Sequence, residues 1–118
     1  MKKNIFSLEA LSRAIETRDS PAMREFYSED AFLRIIDRDH PPSKPQKIVG
    51  RSAINAYFDD VCGRTMTHKV ENSCVAGERL AFTQDCVYPD GTRVFCSTVA
   101  ELKAGKITNQ TIVQAWDA

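Results

Sequence analysis

From about Thr65 to the C-terminus, apolar and polar residues alternate with a period of two. That pattern commits nearly half the chain to β-strands, because only a strand turns successive side chains to opposite faces. Four strands are expected, at about 66–75, 79–88, 92–103 and 106–116. The first turn is Ala76-Gly77-Glu78. The second, Tyr88-Pro89-Asp90-Gly91-Thr92, is a strong hairpin signal, with proline fixing one dihedral and glycine free to take positive φ. Lys103-Ala104-Gly105-Lys106 makes the third.

The alternation also separates the two faces. Lys69 and Glu71 oppose His68, Val70, Asn72 and Cys74. Arg79 and Asp85 oppose Leu80, Phe82, Gln84, Cys86 and Tyr88. Arg93 and Glu101 oppose Val94, Cys96, Thr98, Ala100 and Leu102. Three consecutive strands thus present one face with no charged side chain. A face of large apolar groups mixed with neutral polar ones suits a ligand-sized cavity. In the last strand two sets compete for that face: Gln110, Ile112, Gln114 and Trp116, or Ile107, Asn109, Thr111 and Val113.

The N-terminal half has helical spacing instead. Leu8, Leu11, Ala14 and Ile15 share one helix side behind a Ser7 cap. Ser20-Pro21 opens a second helix with Ser20 as its cap, and Met23, Phe26 and Tyr27 as its apolar side. Residues Ala31 to Ile36 read as a short strand. Asp37 to Lys47, with three prolines, reads as a loop. Gly50-Arg51-Ser52 opens a third helix carrying Ile54, Tyr57, Phe58 and Val61, closed by Gly63.

At 118 residues the chain is expected to form one domain over 1–118. Sixteen basic and 16 acidic residues cancel, so no net field draws nucleic acid or an anionic membrane. No apolar run is long enough to span a bilayer. The basic start is interrupted by Glu9 and does not read as a signal peptide, so a cytoplasmic location is expected. The four cysteines, Cys62, Cys74, Cys86 and Cys96, show no zinc-ligand spacing and are read as free, mostly buried thiols. No cofactor or metal is expected. Asp37, Asp39 and His40 could hold an ion, but adjacent loop charges are ordinarily solvated.

His68 is the only imidazole on the uncharged face and could carry a proton near neutral pH. Pairing the hairpins about their turns sets Cys86 opposite His68 and Cys96 diagonal to Cys86. A thiolate beside an imidazolium is a nucleophile. A buried thiol is equally a small hydrophobe. Both readings stand at this level.

The order helix, helix, short strand, loop, helix, antiparallel meander resembles the nuclear transport factor 2-like superfamily. Its SnoaL-like polyketide cyclases and ketosteroid isomerases are cystatin-like α+β proteins. The resemblance rests on Phe26-Tyr27-Ser28-Glu29-Asp30-Ala31, Gly50-Arg51-Ser52-Ala53-Ile54 and Gly105-Lys106-Ile107. It implies a cone-shaped, curved, mainly antiparallel sheet wrapped around three N-terminal helices. It also implies a pocket on the concave side and a homodimer through the outer face, where Thr83, Val87, Phe95 and Val99 lie. Leu11, Ile35 and Thr98 stand where the isomerases place their acid and base groups. Gln110 and Ile112 stand where the cyclases place a His and an Asp. His68 and Glu16 stand approximately where scytalone dehydratase-like members carry a pocket His and a carboxylate.

The expected site is therefore a cavity ringed by Tyr57, His68, Phe82, Gln84, Cys86, Cys96, Thr98, Gln110 and Gln114. It would hold a small, neutral, hydrophobic molecule. The alternative is a cofactor-independent lyase or isomerase acting on a neutral cyclic substrate, with His68 as acid or base and Glu16 as its partner.

Overall fold

The computed structural model describes residues 6–117. The basic start read as no signal peptide falls on residues 1–5, outside the described residues. In chain order the elements are α1 (Leu8–Glu16), α2 (Ser20–Arg24), β1 (Tyr27–Ile36), β2 (Gln46–Val49), α3 (Arg51–Cys62), β3 (Thr67–Ala76), β4 (Arg79–Val87), β5 (Arg93–Lys103) and β6 (Lys106–Trp116). Six strands form one curved, unclosed sheet in the order β2-β1-β6-β5-β4-β3. Among the described residues only the β1–β6 pairing is parallel. The α+β class and the curved, mainly antiparallel sheet are as expected. Among the described residues no helix is long and apolar enough to cross a membrane.

Local chemistry accounts for most boundaries. Ser7 caps α1, its hydroxyl accepting the Ala10 N–H at 3.1 Å. The cap of α2 is Asp19 rather than Ser20: the Asp19 carboxylate accepts the Ala22 N–H at 3.1 Å. Ser20 is the first helical residue, and its hydroxyl hydrogen-bonds the Asp59 carboxylate of α3 instead. Gly50, at φ 93°, turns the chain into α3 while its N–H reaches the Ala31 carbonyl at 2.8 Å. That φ favours glycine. Gly63 ends α3 in a right-handed conformation, φ −76°, rather than the left-handed one that glycine allows.

Two larger features also depart from the sequence reading. The first strand starts at Tyr27, not Ala31, and the segment read wholly as a loop ends in β2. Its Ile48 pairs with Leu33 across an antiparallel register and is buried. The three prolines confine the loop proper to the residues before Gln46.

The second departure is in β3. The β3–β4 register slips by one residue between Glu71 and Cys74, where Asn72 adopts φ 56°. A one-residue bulge exchanges the faces beyond it. Val75 therefore opposes buried Leu80, and Cys74 opposes Ala81 on the outer face. Cys74, expected on the uncharged face, is exposed. A similar irregularity between Glu101 and Leu102 brings Ile107 inward, and the Gln110, Ile112, Gln114 and Trp116 set faces the interior beyond it. Both candidate sets thus contribute to the core, each on its own side of the bulge.

The core lies between the concave sheet face and the helices. Leu33, Ile54 and Ile107 are fully enclosed, and Leu11, Ile35 and Leu80 nearly so. Burying each such side chain contributes about 1.5–3 kcal/mol.

Candidate functional site

The strand registers arrange the inward residues in rows across the sheet. The outermost row is His68, Cys86, Val94 and Trp116 on β3, β4, β5 and β6. The next is Val70, Gln84, Cys96 and Gln114. A chamber of about 60 Å³ lies over these rows. Tyr57, Phe58 and Val61 of α3 close it from the helix side, with Arg64 and Met66 just beyond that helix. Room on this scale holds roughly four to six water-sized groups. Drug-sized ligands occupy about 300–1,000 Å³.

The expected ring of nine residues divides by depth. Tyr57, His68, Gln84, Cys86, Cys96 and Gln114 line the chamber. Phe82 and Thr98 sit one row deeper, opposite Ile112, and Gln110 lies a row below that. These three are not in the lining. The Tyr27 hydroxyl donates to the Gln110 side-chain oxygen, and the Gln110 amide donates to Thr98 Oγ1 at 3.5 Å. All three groups are buried and serve one another. Leu11 and Ile35 are likewise core residues.

Glu16 does not join the chamber lining either. It lies on the exposed end of α1, and its carboxylate accepts the backbone N–H of Val70 at 2.8 Å. Among the described residues no hydrogen bond joins Glu16 to His68. His68 Nδ1 lies 3.1 Å from Cys86 Sγ.

Arg64 is a lining residue that the sequence reading missed, and Tyr88, faced inward by alternation, is one that the expected ring left out. Arg64 lies between α3 and β3, where strand alternation has no bearing, and it places a guanidinium at a face read as uncharged. Its Nη2 contacts the Asp60 carboxylate at 2.6 Å, and Nη1 donates to the Tyr88 hydroxyl at 3.0 Å. Tyr88 stacks on Trp116 with ring centroids 6.0 Å apart. Trp116 Nε1 donates to Gln114 Oε1 at 3.2 Å, and Gln114 Nε2 donates to the Tyr57 hydroxyl at 3.4 Å. Outside this wall, a more open hollow of about 230 Å³ shares Tyr57, Arg64, Gln114 and Trp116 with the chamber and adds Asp37, Arg38 and Asp39. Arg38 sits 4.5 Å above the Trp116 ring, a cation–π contact. The proline-rich loop thus overhangs the entrance. Its His40 Nδ1 is 2.8 Å from the Asp37 carboxylate. Among the described residues no three potential metal ligands converge.

Burial raises the Tyr57 phenol to about 12, so it remains a neutral hydrogen-bonding group. The two chamber thiols are driven apart. A hydrogen bond from Cys96, then one from His68, lowers Cys86 below the ordinary thiol range. Cys96 is raised, because it shares its proton with Cys86 and is desolvated. This arrangement can hold a small apolar body while Tyr57, Gln84 and Gln114 supply neutral hydrogen bonds. It also sets one sulfur beside an imidazole.

A family model described as the SnoaL-like domain matches residues 8–110. No curated protein matches this sequence. Among solved structures, an NTF2-like protein of unknown function from Mesorhizobium loti is similar at TM-score 0.80 and 16% identity. That alignment covers 92% of this chain and 87% of the other. A candidate ketosteroid isomerase from Kribbella flavida DSM 17836 is similar at TM-score 0.73 and 15% identity, covering 93% and 74%. An NTF2-like protein of unknown function from Burkholderia xenovorans LB400 reaches 0.76 and 21%, covering 93% and 79%. At these identities the likeness is one of fold, and chemistry has to be argued from the side chains present.

Proposed function

The chain belongs to the SnoaL-like domain family, and from that premise we propose that it binds a small, neutral, largely apolar molecule bearing one or two hydrogen-bonding groups. The carrying observation is the composition of the chamber: an apolar wall of Phe58, Val94, Ile112 and Trp116, interrupted by Tyr57, Gln84 and Gln114. The Arg64 guanidinium is already matched by Asp60. A carboxylate entering the chamber would lose its water without gaining a free cation, which is unfavourable. The size favours a molecule built around a single ring.

Cyclohexanone is a suitable probe, followed by saturation-transfer NMR. Gln114→Leu should weaken its binding by about threefold to tenfold, corresponding to one neutral hydrogen bond of about 0.5–1.5 kcal/mol. Cyclohexanecarboxylate should bind roughly tenfold more weakly or worse. Equal or tighter binding of the carboxylate would show that the site selects anions and that this reading is wrong.

We also propose a homodimer through the outer sheet face. Phe95 and Val99 flank Ser97 on β5, and Ser97 pairs with Val113 on β6; all three apolar side chains are exposed. Such a contiguous patch favours a covering surface. Sedimentation in the micromolar range should give a dimer, and Phe95→Lys combined with Val99→Lys should give a folded monomer. A wild-type protein that sediments as a monomer would remove the proposal.

A further inference from the structure

We propose that Cys86 and His68 form a nucleophilic thiolate–imidazolium pair that captures small neutral α,β-unsaturated carbonyl compounds within the chamber. The geometry is specific. The two residues are direct partners in the β3–β4 register, and His68 Nδ1 lies 3.1 Å from Cys86 Sγ. Both face the chamber, so Cys86 is only 3% exposed yet borders empty space rather than packed side chains. Cys96, diagonal to it, lines the same chamber, and Gln84 Oε1 lies 3.9 Å from the same sulfur.

The electrophile class follows from what surrounds the sulfur. A thiolate is a soft nucleophile and reacts readily with conjugated carbon. The chamber admits a small neutral ring, as proposed above, and Tyr57, Gln84 and Gln114 are placed to bind a carbonyl oxygen. In the reaction the Cys86 sulfur lone pair forms a bond to the β-carbon. The carbon–carbon π electrons shift toward the carbonyl, and the His68 imidazolium delivers its proton to the α-carbon. The products are a thioether and a neutral imidazole. No leaving group, oxidant or reductant is required.

The groups that set the charge around Cys86 come from every wall. They are His68 from β3, Cys96 from β5, Tyr57 from α3 and Arg64 beyond it, with Tyr88 following β4. Asp85, the preceding residue, also acts on the sulfur and opposes the thiolate, and the β6 lining residues, Ile112, Gln114 and Trp116, carry no charge. The His68 ring nitrogen against the sulfur favours the thiolate, in the same direction as the lowering of the Cys86 thiol below its ordinary range.

Cyclohex-2-en-1-one tests the proposal, with adducts located by peptide mass spectrometry. At about pH 7 the adduct should form at Cys86 roughly tenfold or more faster than at exposed Cys74, because thiolate content rather than exposure governs attack. The Cys86 rate should be nearly flat from about pH 7 to pH 9, whereas an ordinary thiol gains reactivity over that interval. His68→Gln should slow it by roughly tenfold or more. Preferential labelling of Cys74, or a Cys86 rate that climbs through that pH interval in the unmodified protein, would overturn the proposal. It rests on the binding reading, and saturated cyclohexanone separates the two. If cyclohexanone binds but cyclohexenone leaves Cys86 free, the nucleophile fails alone. If neither occupies the chamber, both readings fail.

Discussion

Leu33→Ala should lower the melting temperature by about 10 °C or more. Leu33 is fully enclosed, paired with Ile48 of β2 on one side and Gln110 of β6 on the other. It lies where antiparallel and parallel pairings meet, so neighbouring backbones cannot collapse into the space a leucine leaves. Enclosed leucine-to-alanine changes cost about 3–5 kcal/mol. A domain of this size holds only roughly 5–15 kcal/mol in total. In a chain of this length each kcal/mol shifts the midpoint by roughly 3–6 °C. Val49→Ala is the matched control, since Val49 lies on β2 beside Ile48 but is 67% exposed. It should change stability by less than about 0.5 kcal/mol. Thermal denaturation followed by circular dichroism compares them, and similar losses in the two variants would contradict the placement of the core.

Tyr27→Phe should cost about 1–3 kcal/mol although it removes a single oxygen. The lost hydroxyl is the donor to Gln110, a side chain only 3% exposed, and water cannot readily replace it. The orphaned amide, rather than the missing bond, carries most of that penalty. Adding Gln110→Met to Tyr27→Phe should therefore cost less than the two single changes summed, because the orphaned oxygen is removed with the amide, while Thr98 Oγ1 loses its longer 3.5 Å partner. Simple additivity in a urea-denaturation double-mutant cycle would mean that the two groups are not coupled. Tyr27 is also raised beyond the range in which tyrosine ionises, chiefly by burial, so the donor persists across the working pH range.

The difference between what sequence and structure convey is instructive at the level of single residues. Alternation faces Phe82 and Thr98 inward, and the expected ring adds Gln110 from a strand whose facing alternation leaves open, but inwardness is not depth. Depth depends on which row of the sheet a residue occupies, and therefore on the pairing of strands far apart in sequence. The hairpin turns predicted the His68–Cys86 pairing because both partners are counted outward from short connections. They could not predict the fate of Cys74, because the bulge at Asn72 adds one residue without an obvious turn signature. Asparagine tolerates positive φ better than most residues, and that was the available signal. Arg64 escaped because it belongs to neither a helix face nor a strand face. Strand β2 escaped because four residues after a proline-rich run carry little pattern of their own, and β1 supplies their register. Asp19 displaced Ser20 as the cap of α2 by a single position, a boundary that propensity alone leaves open.

Glu16 bears on a different hazard from turnover. Among the described residues strand β3 ends the sheet, hydrogen-bonded to β4 on one side, and much of its length is exposed. An open strand of this kind is a template on which another chain can polymerise. The Glu16 carboxylate occupies the Val70 N–H and sets a negative charge along that border. With one outward donor occupied and a charge set beside it, that stretch of the border is a poorer template for an incoming strand, which is a matter of colloidal behaviour rather than of chemistry.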